Sequence, residues 1–214
     1  MEAGLAELLS RAAAAEGDPG EPEDLTSERI LDAAVQEAAA VGLRRLTVED
    51  VVRRAGVARM TAYRRFPRRD DLVQALILRE TQRFLAAVAA GIDRAGDPRD
   101  GVAEAFVAAV EFSRDHPMLR RVGQSGVGAF TEALAADDAA LLATGTAFIA
   151  RQIHGERPGA PSRSAQWVAN VFARLFVTYV ALPPTDPDPD SDAQLRRFAR
   201  EVLTPMVERV APDA

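Results

Sequence analysis

Two glycines and a proline cut the stretch from Thr26 to Pro67 into three apolar-periodic pieces, and the second and third are too short to stand alone. In the first piece Ile30, Leu31, Ala34, Val35, Ala38 and Val41 recur at the spacing of a helix with one buried face. Thr26-Ser27 offers it an N-cap, and Gly42 stands where a left-handed C-cap would end it. Thr47 opens the second piece, with Asp50 in the first turn and Val51, Val52 and Ala55 on its apolar side. Gly56-Val57 is a tight break, the third piece runs from about Ala58 to Phe66, and Pro67 stops it. The first helix must therefore roof the other two, giving a three-helix unit with a helix-turn-helix inside it.

Beyond Pro67 the pattern remains helical. From Arg69 to about Ile92 it is uninterrupted, about 35 Å at about 1.5 Å per residue, until Gly96-Asp97-Pro98 breaks it. Helical spacing resumes over Asp100–Arg114, Met118–Gln124, Thr131–Ile153, Ser164–Leu182 and Asp192–Val210. The glycine-rich run Gly123–Gly128 reads as a joint between helices. It lacks the spacing, the lysine and the preceding strand of a phosphate loop, and the last glycine of an esterase elbow. Pro183–Pro189 reads as an extended linker. No strand alternation and no internal repeat occurs, and alanine supplies much of the apolar content while aromatics are only 6%. The expected fold is all-α, divided into an acidic, disordered arm (1–25), a helix-turn-helix domain (26–70) and a larger helical ligand-binding and dimerisation domain (71–214).

The formal charge of −6 argues against nucleic acid only if it is evenly spread. From Ser27 to Val73 there are ten arginines against seven acids, a net of +3, and the rest of the chain carries −9. Arg53 to Arg69 holds seven arginines and no carboxylate. A solvated face is the ordinary meaning of such a run, and the absence of any lysine suits a GC-rich genome. Without cysteine there are no disulfides, thiolate metal sites or thiol catalysis. His116, before Pro117, and His154, before Gly155, read as helix-terminating residues, so no catalytic residue, metal site or cofactor is expected. No apolar run approaches the length of a membrane span, and the acidic N-terminus is unlike a secretory signal, which points to the cytoplasm.

The third short helix carries the functional argument. With Ala62 inward, Ala58 and Phe66 share its side, whereas Met60 and Arg64 point nearly opposite, flanked by Val57, Thr61 and Tyr63. A methionine and a tyrosine set outward among arginines, Arg59 included, suit a DNA major groove, where Met touches thymine methyls and Arg reaches guanine or phosphate. Arg68 and Arg69 at the start of the next helix would make, with its free amides, a phosphate site that Asp70 and Asp71 partly offset.

Ser27 to Leu76 resembles the DNA-binding domain of the tetracycline-repressor (TetR) family through Ile30-Leu31-Asp32-Ala33-Ala34, Leu46-Thr47-Val48-Glu49-Asp50-Val51, Arg54-Ala55-Gly56-Val57 and Thr61-Ala62-Tyr63-Arg64-Arg65-Phe66-Pro67. The resemblance implies phosphate contacts from Tyr63 and Arg69 and a capping Thr47 that also touches backbone. Ala58 stands in place of the usual capping serine, Met60 in place of a glycine, and Ala62 in place of a larger residue. The first should weaken the helix by about 1 kcal/mol, the second adds bulk at the groove, and the third thins the core.

Trp167, Val171, Leu175 and Tyr179, with Phe198 and Val202 of the last helix, form apolar faces that are partly core and partly a candidate homodimer interface. Phe84, Phe106, Phe112, Met118, Phe130 and Phe148 are candidate lining for a small apolar or aromatic effector, although core packing is the commoner role for each. These readings combine into a dimeric repressor on a near-palindromic operator in double-stranded DNA, released when ligand enters behind the long fourth helix and shifts Arg69 with the headpiece. An activator of the same family and a helical interaction scaffold are the alternatives. An enzyme would need partners that neither histidine has. Salt elution from heparin separates DNA binding from the other classes.

Overall fold

The computed structural model describes residues 22–97, 100–155 and 157–210, and of residues 22–24 and 124–141 only the course of the backbone. Residues 1–21 of the expected arm lie outside the described residues. Helices succeed one another as α1 (Pro22–Val41), α2 (Val48–Ala55), α3 (Arg59–Arg65), α4 (Arg69–Asp93), α5 (Gly101–Asp115), α6 (Pro117–His154), α7 (Arg163–Ala181), α8 (Asp192–Phe198) and α9 (Thr204–Glu208). The fold is all-α, with no strand among the described residues.

Four boundaries differ from the sequence expectation, each for a local reason. α1 starts at Pro22 rather than after Thr26-Ser27. Proline suits the first helical position, where no amide is needed. Gly42 does not form a left-handed cap. At φ 88° and ψ 151° it swings the chain into a 3-10 turn, Leu43–Arg45, while its amide still donates to Ala38 O at 2.8 Å. The glycines from 123 to 128 are not a joint, because α6 runs through them for 38 residues. Gly123 admits the neighbouring helix, since a Cβ there would lie 3.1 Å from the backbone oxygen of Val180. The last expected helix is divided by a π-helical turn over Ala199–Leu203, just ahead of Pro205, which offers no amide and crowds the carbonyl four residues earlier.

The headpiece core is built from α1 to α4. Ile30 of α1, Leu46 of the turn, Val51 of α2, and Leu72 and Leu76 of α4 are its largest fully buried side chains, and Ala62 of α3 closes it. Each buried aliphatic side chain contributes about 2 kcal/mol relative to exposure. α4 belongs to both halves, because farther along it Leu85 and Val88 are buried against the body. Gly91 then brings α4 against α5: a Cβ there would meet Ala108 Cβ and Glu104 O, both at 2.8 Å. A second core gathers Phe106, Val107 and Val110 of α5 with Leu195, Ala199 and Leu203 near the C-terminus.

Side chains from the body hold α1 at two places. Near its N-terminal half, Arg79 of α4, only 8% exposed, reaches Glu28 and Asp32, both at 2.9 Å, and Glu80 at 2.6 Å. Near its C-terminal end, Arg121 of α6 donates to the carbonyls of Ala39 (3.0 Å) and Ala40 (2.7 Å), which lack helical partners. His116 caps the joint between α5 and α6, stacks on Phe112 and bonds Glu80 at 2.9 Å. Burial works to raise the Glu80 pKa. The bond from His116 and the charges of Arg79 and Arg83 outweigh it and hold the carboxyl below its ordinary range.

Candidate nucleic-acid interface

Thr47 sets the start of α2. Its hydroxyl accepts the Asp50 amide at 3.1 Å and donates to the Asp50 carboxylate at 2.6 Å, and that bond lowers the Asp50 pKa. Gly56 at φ 63° and ψ 32° ends α2 in the left-handed conformation that glycine adopts without a Cβ penalty. Together they fix the turn from which α3 departs. Thr47→Ala should lower folding stability by about 1 kcal/mol, read as a lower urea midpoint at unchanged slope; an unchanged midpoint would show that the cap is not used.

α3 has no side-chain cap, as Ala58 dictates, and Ala58 is exposed rather than sharing the inner side. Ala62 and Phe66 alone are buried. Val57 and Tyr63 pack their apolar parts on the headpiece core, so they lie lower than the wheel suggests. Met60 is 80% exposed and Arg64 is exposed, with no ion pair or hydrogen bond to Arg64 among the described residues. Thr61 is half-buried between these two faces. α3 thus shows solvent a methionine, an uncommitted guanidinium and the hydroxyl end of a tyrosine.

The other arginines of the acid-free run are mostly engaged by carboxylates from outside it. Arg53 pairs with Asp50, Arg54 with Glu37 at 2.8 Å, and Arg59 with Glu49 at 3.4 Å, while Arg65 donates to Ser27 Oγ at 3.1 Å. Tyr63 donates its hydroxyl to Glu49, and that bond is the main reason the Glu49 carboxyl is held below the usual range. The Arg59 guanidinium lies 5.3 Å from the centre of the Tyr63 ring. No local signal in the sequence marks Glu49, which sits ten to fourteen residues from its partners, on the previous helix.

Arg69 is turned inward. Its guanidinium donates to Leu43 O (2.6 Å) and Leu46 O (2.9 Å) and pairs with Asp70, locking the 3-10 turn to the start of α4. Asp71 accepts the Arg68 amide at 3.0 Å, so the chain's own carboxylate occupies the first turn of α4 where a phosphate was expected.

The remaining candidates fall into separate groups. Phe84, Phe112 and Phe176 make one aromatic cluster, with the Phe112 and Phe176 centroids 5.5 and 4.7 Å from that of Phe84. Phe106 instead joins Tyr179 and Phe198 at 5.2 and 5.6 Å. Met118 packs on the headpiece core, Phe148 is half-buried, and Phe130 is among the residues whose side chains are not described. Of the candidate interface residues, Trp167 (65% exposed), Val171 and Val202 face solvent in the single chain, whereas Leu175, Tyr179 and Phe198 lean on the second core. An open cleft of 580 Å³ lies elsewhere, between α1, α4 and the α5–α6 joint, lined by Arg29, Asp32, Glu80, Arg83 and His116. Among the described residues there is no cluster able to hold a metal ion, and no helix is long and apolar enough to cross a membrane.

Comparison with known proteins accounts for both halves. Residues 30–76 match the family model of bacterial regulatory proteins, tetR family, and residues 97–210 match that of the bacterial Tetracyclin repressor, C-terminal domain. The chain is 25% identical over 187 residues to the HTH-type transcriptional regulator Rv1255c of Mycobacterium tuberculosis, covering 85% of this chain and 87% of that one. It is 27% identical over 167 residues to the HTH-type transcriptional regulator AlkX of the same organism, covering 77% and 76%. The crystal structure of the TetR family repressor AlkX from a Dietzia strain superposes with a TM-score of 0.61 at 23% identity, over 92% of this chain and all of that one, a likeness of fold.

Proposed function

The chain belongs to the tetR family of bacterial regulatory proteins and is a DNA-binding transcriptional regulator, and from that premise we propose that it is a dimeric repressor released by a small ligand. Residues 26–70 serve as the headpiece and residues 71–214 as the ligand-binding and dimerisation body. α3 enters the major groove, Met60 and Thr61 meet base edges, and Arg64 reaches a guanine or a phosphate. Arg59 and Tyr63 contact phosphates along the groove wall, and Thr47, at the exposed end of α2, meets the neighbouring backbone. Arg69 contributes by holding the turn in place. A homodimer through Trp167, Val171 and Val202, with Leu175, Tyr179 and Phe198 behind them, sets two copies of α3 roughly 34–36 Å apart on a near-palindromic operator. An apolar or aromatic effector at the Phe84–Phe112–Phe176 cluster would favour a spacing that no longer fits, with coupling of roughly 1–3 kcal/mol. These roles place the protein in the cytoplasm, with no catalytic step and no cofactor.

The observation that carries this reading is Arg64 beside a fully presented Met60: a large apolar side chain and an uncommitted cation, side by side on solvent. Selection of bound fragments from genomic DNA tests it, and equal recovery of all fragments would refute it. On a selected fragment, Arg64→Ala should weaken binding about tenfold and flatten the salt dependence by about one ion. Unchanged affinity and slope would remove Arg64 from the interface.

A further inference from the structure

We infer that Glu49 is an internal stand-in for a DNA phosphate: it takes the Tyr63 hydroxyl and the Arg59 guanidinium in the free headpiece and must surrender the hydroxyl when duplex binds. The inference rests on the DNA-binding reading of α3.

The argument turns on proton count. A phenol has one hydrogen to donate, and both a carboxylate and a phosphate diester can only accept. Tyr63 donates to Glu49, so it can bond a phosphate only by leaving that partner. Arg59 is under no such constraint, since its guanidinium carries five donors and meets Glu49 through one nitrogen at 3.4 Å. Its position over the Tyr63 ring keeps the two phosphate-seeking groups together.

Glu49 is also well placed to oppose the phosphate itself. It lies in the first turn of α2, where the helix dipole favours an anion, and it is ionised at neutral pH. Its side chain is half exposed, beside Arg59 and Tyr63, the residues that precede the exposed Met60 and Arg64. A phosphate replacing it at Tyr63 would therefore approach a carboxylate at close range. The resulting weakening applies to any duplex, because every duplex has phosphates. Affinity then depends more heavily on base-edge contacts from Met60, Thr61 and Arg64. Glu49 is thus a positioning residue in the free protein and a competitor in the complex.

A double-mutant cycle on the full-length protein tests this, with a 30-base-pair duplex of random sequence as probe at about 100 mM salt. Glu49→Ala should tighten binding about two- to fivefold, as removal of an exposed like charge allows. Tyr63→Phe should weaken binding little in the wild type, where the hydroxyl merely changes partner. In the Glu49→Ala background it should weaken binding several-fold more, because the hydroxyl then has no carboxylate to leave. Glu49→Gln, which keeps the size of the side chain, should move affinity in the same direction as Glu49→Ala. Circular dichroism confirms that each variant is folded. Additive substitutions, or Glu49 variants that bind no better than wild type, would overturn the inference while leaving the DNA-binding reading intact. A wild type that ignores the duplex at every salt concentration would instead bring down that reading, and the inference with it.

Discussion

Replacing Arg79 by methionine is expected to cost about 3 kcal/mol of folding free energy, the lower end of what removal of one partner from a buried ion pair costs. The guanidinium is 92% buried and is shared among three carboxylates. Glu28 and Asp32 are 45% and 61% exposed and would return to water at little cost. Glu80 is only 11% exposed and would keep its charge with less to balance it. Methionine preserves most of the buried volume, so the loss reports on charge rather than on a cavity. The cost should appear as a melting temperature lower by on the order of 6–12 °C for a chain of this size, at fixed protein concentration. Adding Glu80→Gln to Arg79→Met should recover part of the loss, because the stranded charge is then gone. A single variant within 1 kcal/mol of wild type would mean that water reaches the network and supports it without Arg79.

Gly91→Val should be as damaging for an unrelated reason. The first atom added at Gly91 meets the carbonyl oxygen of Glu104 and the Cβ of Ala108, both at 2.8 Å. A backbone oxygen cannot rotate aside, so α4 and α5 must separate, and valine adds two further carbons at the same point. The gain in helix propensity over glycine is well under 1 kcal/mol. Overpacking at this contact costs about 3 kcal/mol, at the high end of the usual range, again read by urea denaturation. Gly96→Ala is the matched control, since no atom lies within 4 Å of its added Cβ, and it should leave stability unchanged. A Gly91 variant as stable as that control would show that the two helices slide apart freely.

What could be read from the sequence follows from how local each feature is. Thr47, Gly56 and Ala62 announce the helix-turn-helix because caps, left-handed turns and inward faces are written within a few residues of one another. The same locality made the outward position of Met60 and Arg64 legible. It failed for Glu49, Glu37 and Arg121, whose partners lie 10 to 82 residues away, since no local pattern marks which carboxylate or carbonyl an arginine will find. Arg69 reads as a phosphate contact because a cation at a helix start is unfavourable by itself. The carbonyls of Leu43 and Leu46, which answer that problem, are visible only once the turn is folded. The course of α6 is hidden in the sequence because Gly123, Gly126 and Gly128 suggest a break, yet glycine within a helix costs only about 1 kcal/mol each, which tertiary packing can override. By residue type alone the aromatics of the body form one group. The structure divides them between two clusters because α5 presents Phe106 and Phe112 to different neighbours.

The grip of Arg79 on the middle of α1 and of Arg121 on its C-terminal end bears on how a signal could reach the DNA. A rod pinned at a single point can pivot by small degrees, and its response to a ligand would be graded. A rod bolted at two points to two different beams, α4 and α6, moves only if the beams move in step or if one bolt shears. Under the ligand-release reading proposed above, such a mount would favour an all-or-none response over a graded one.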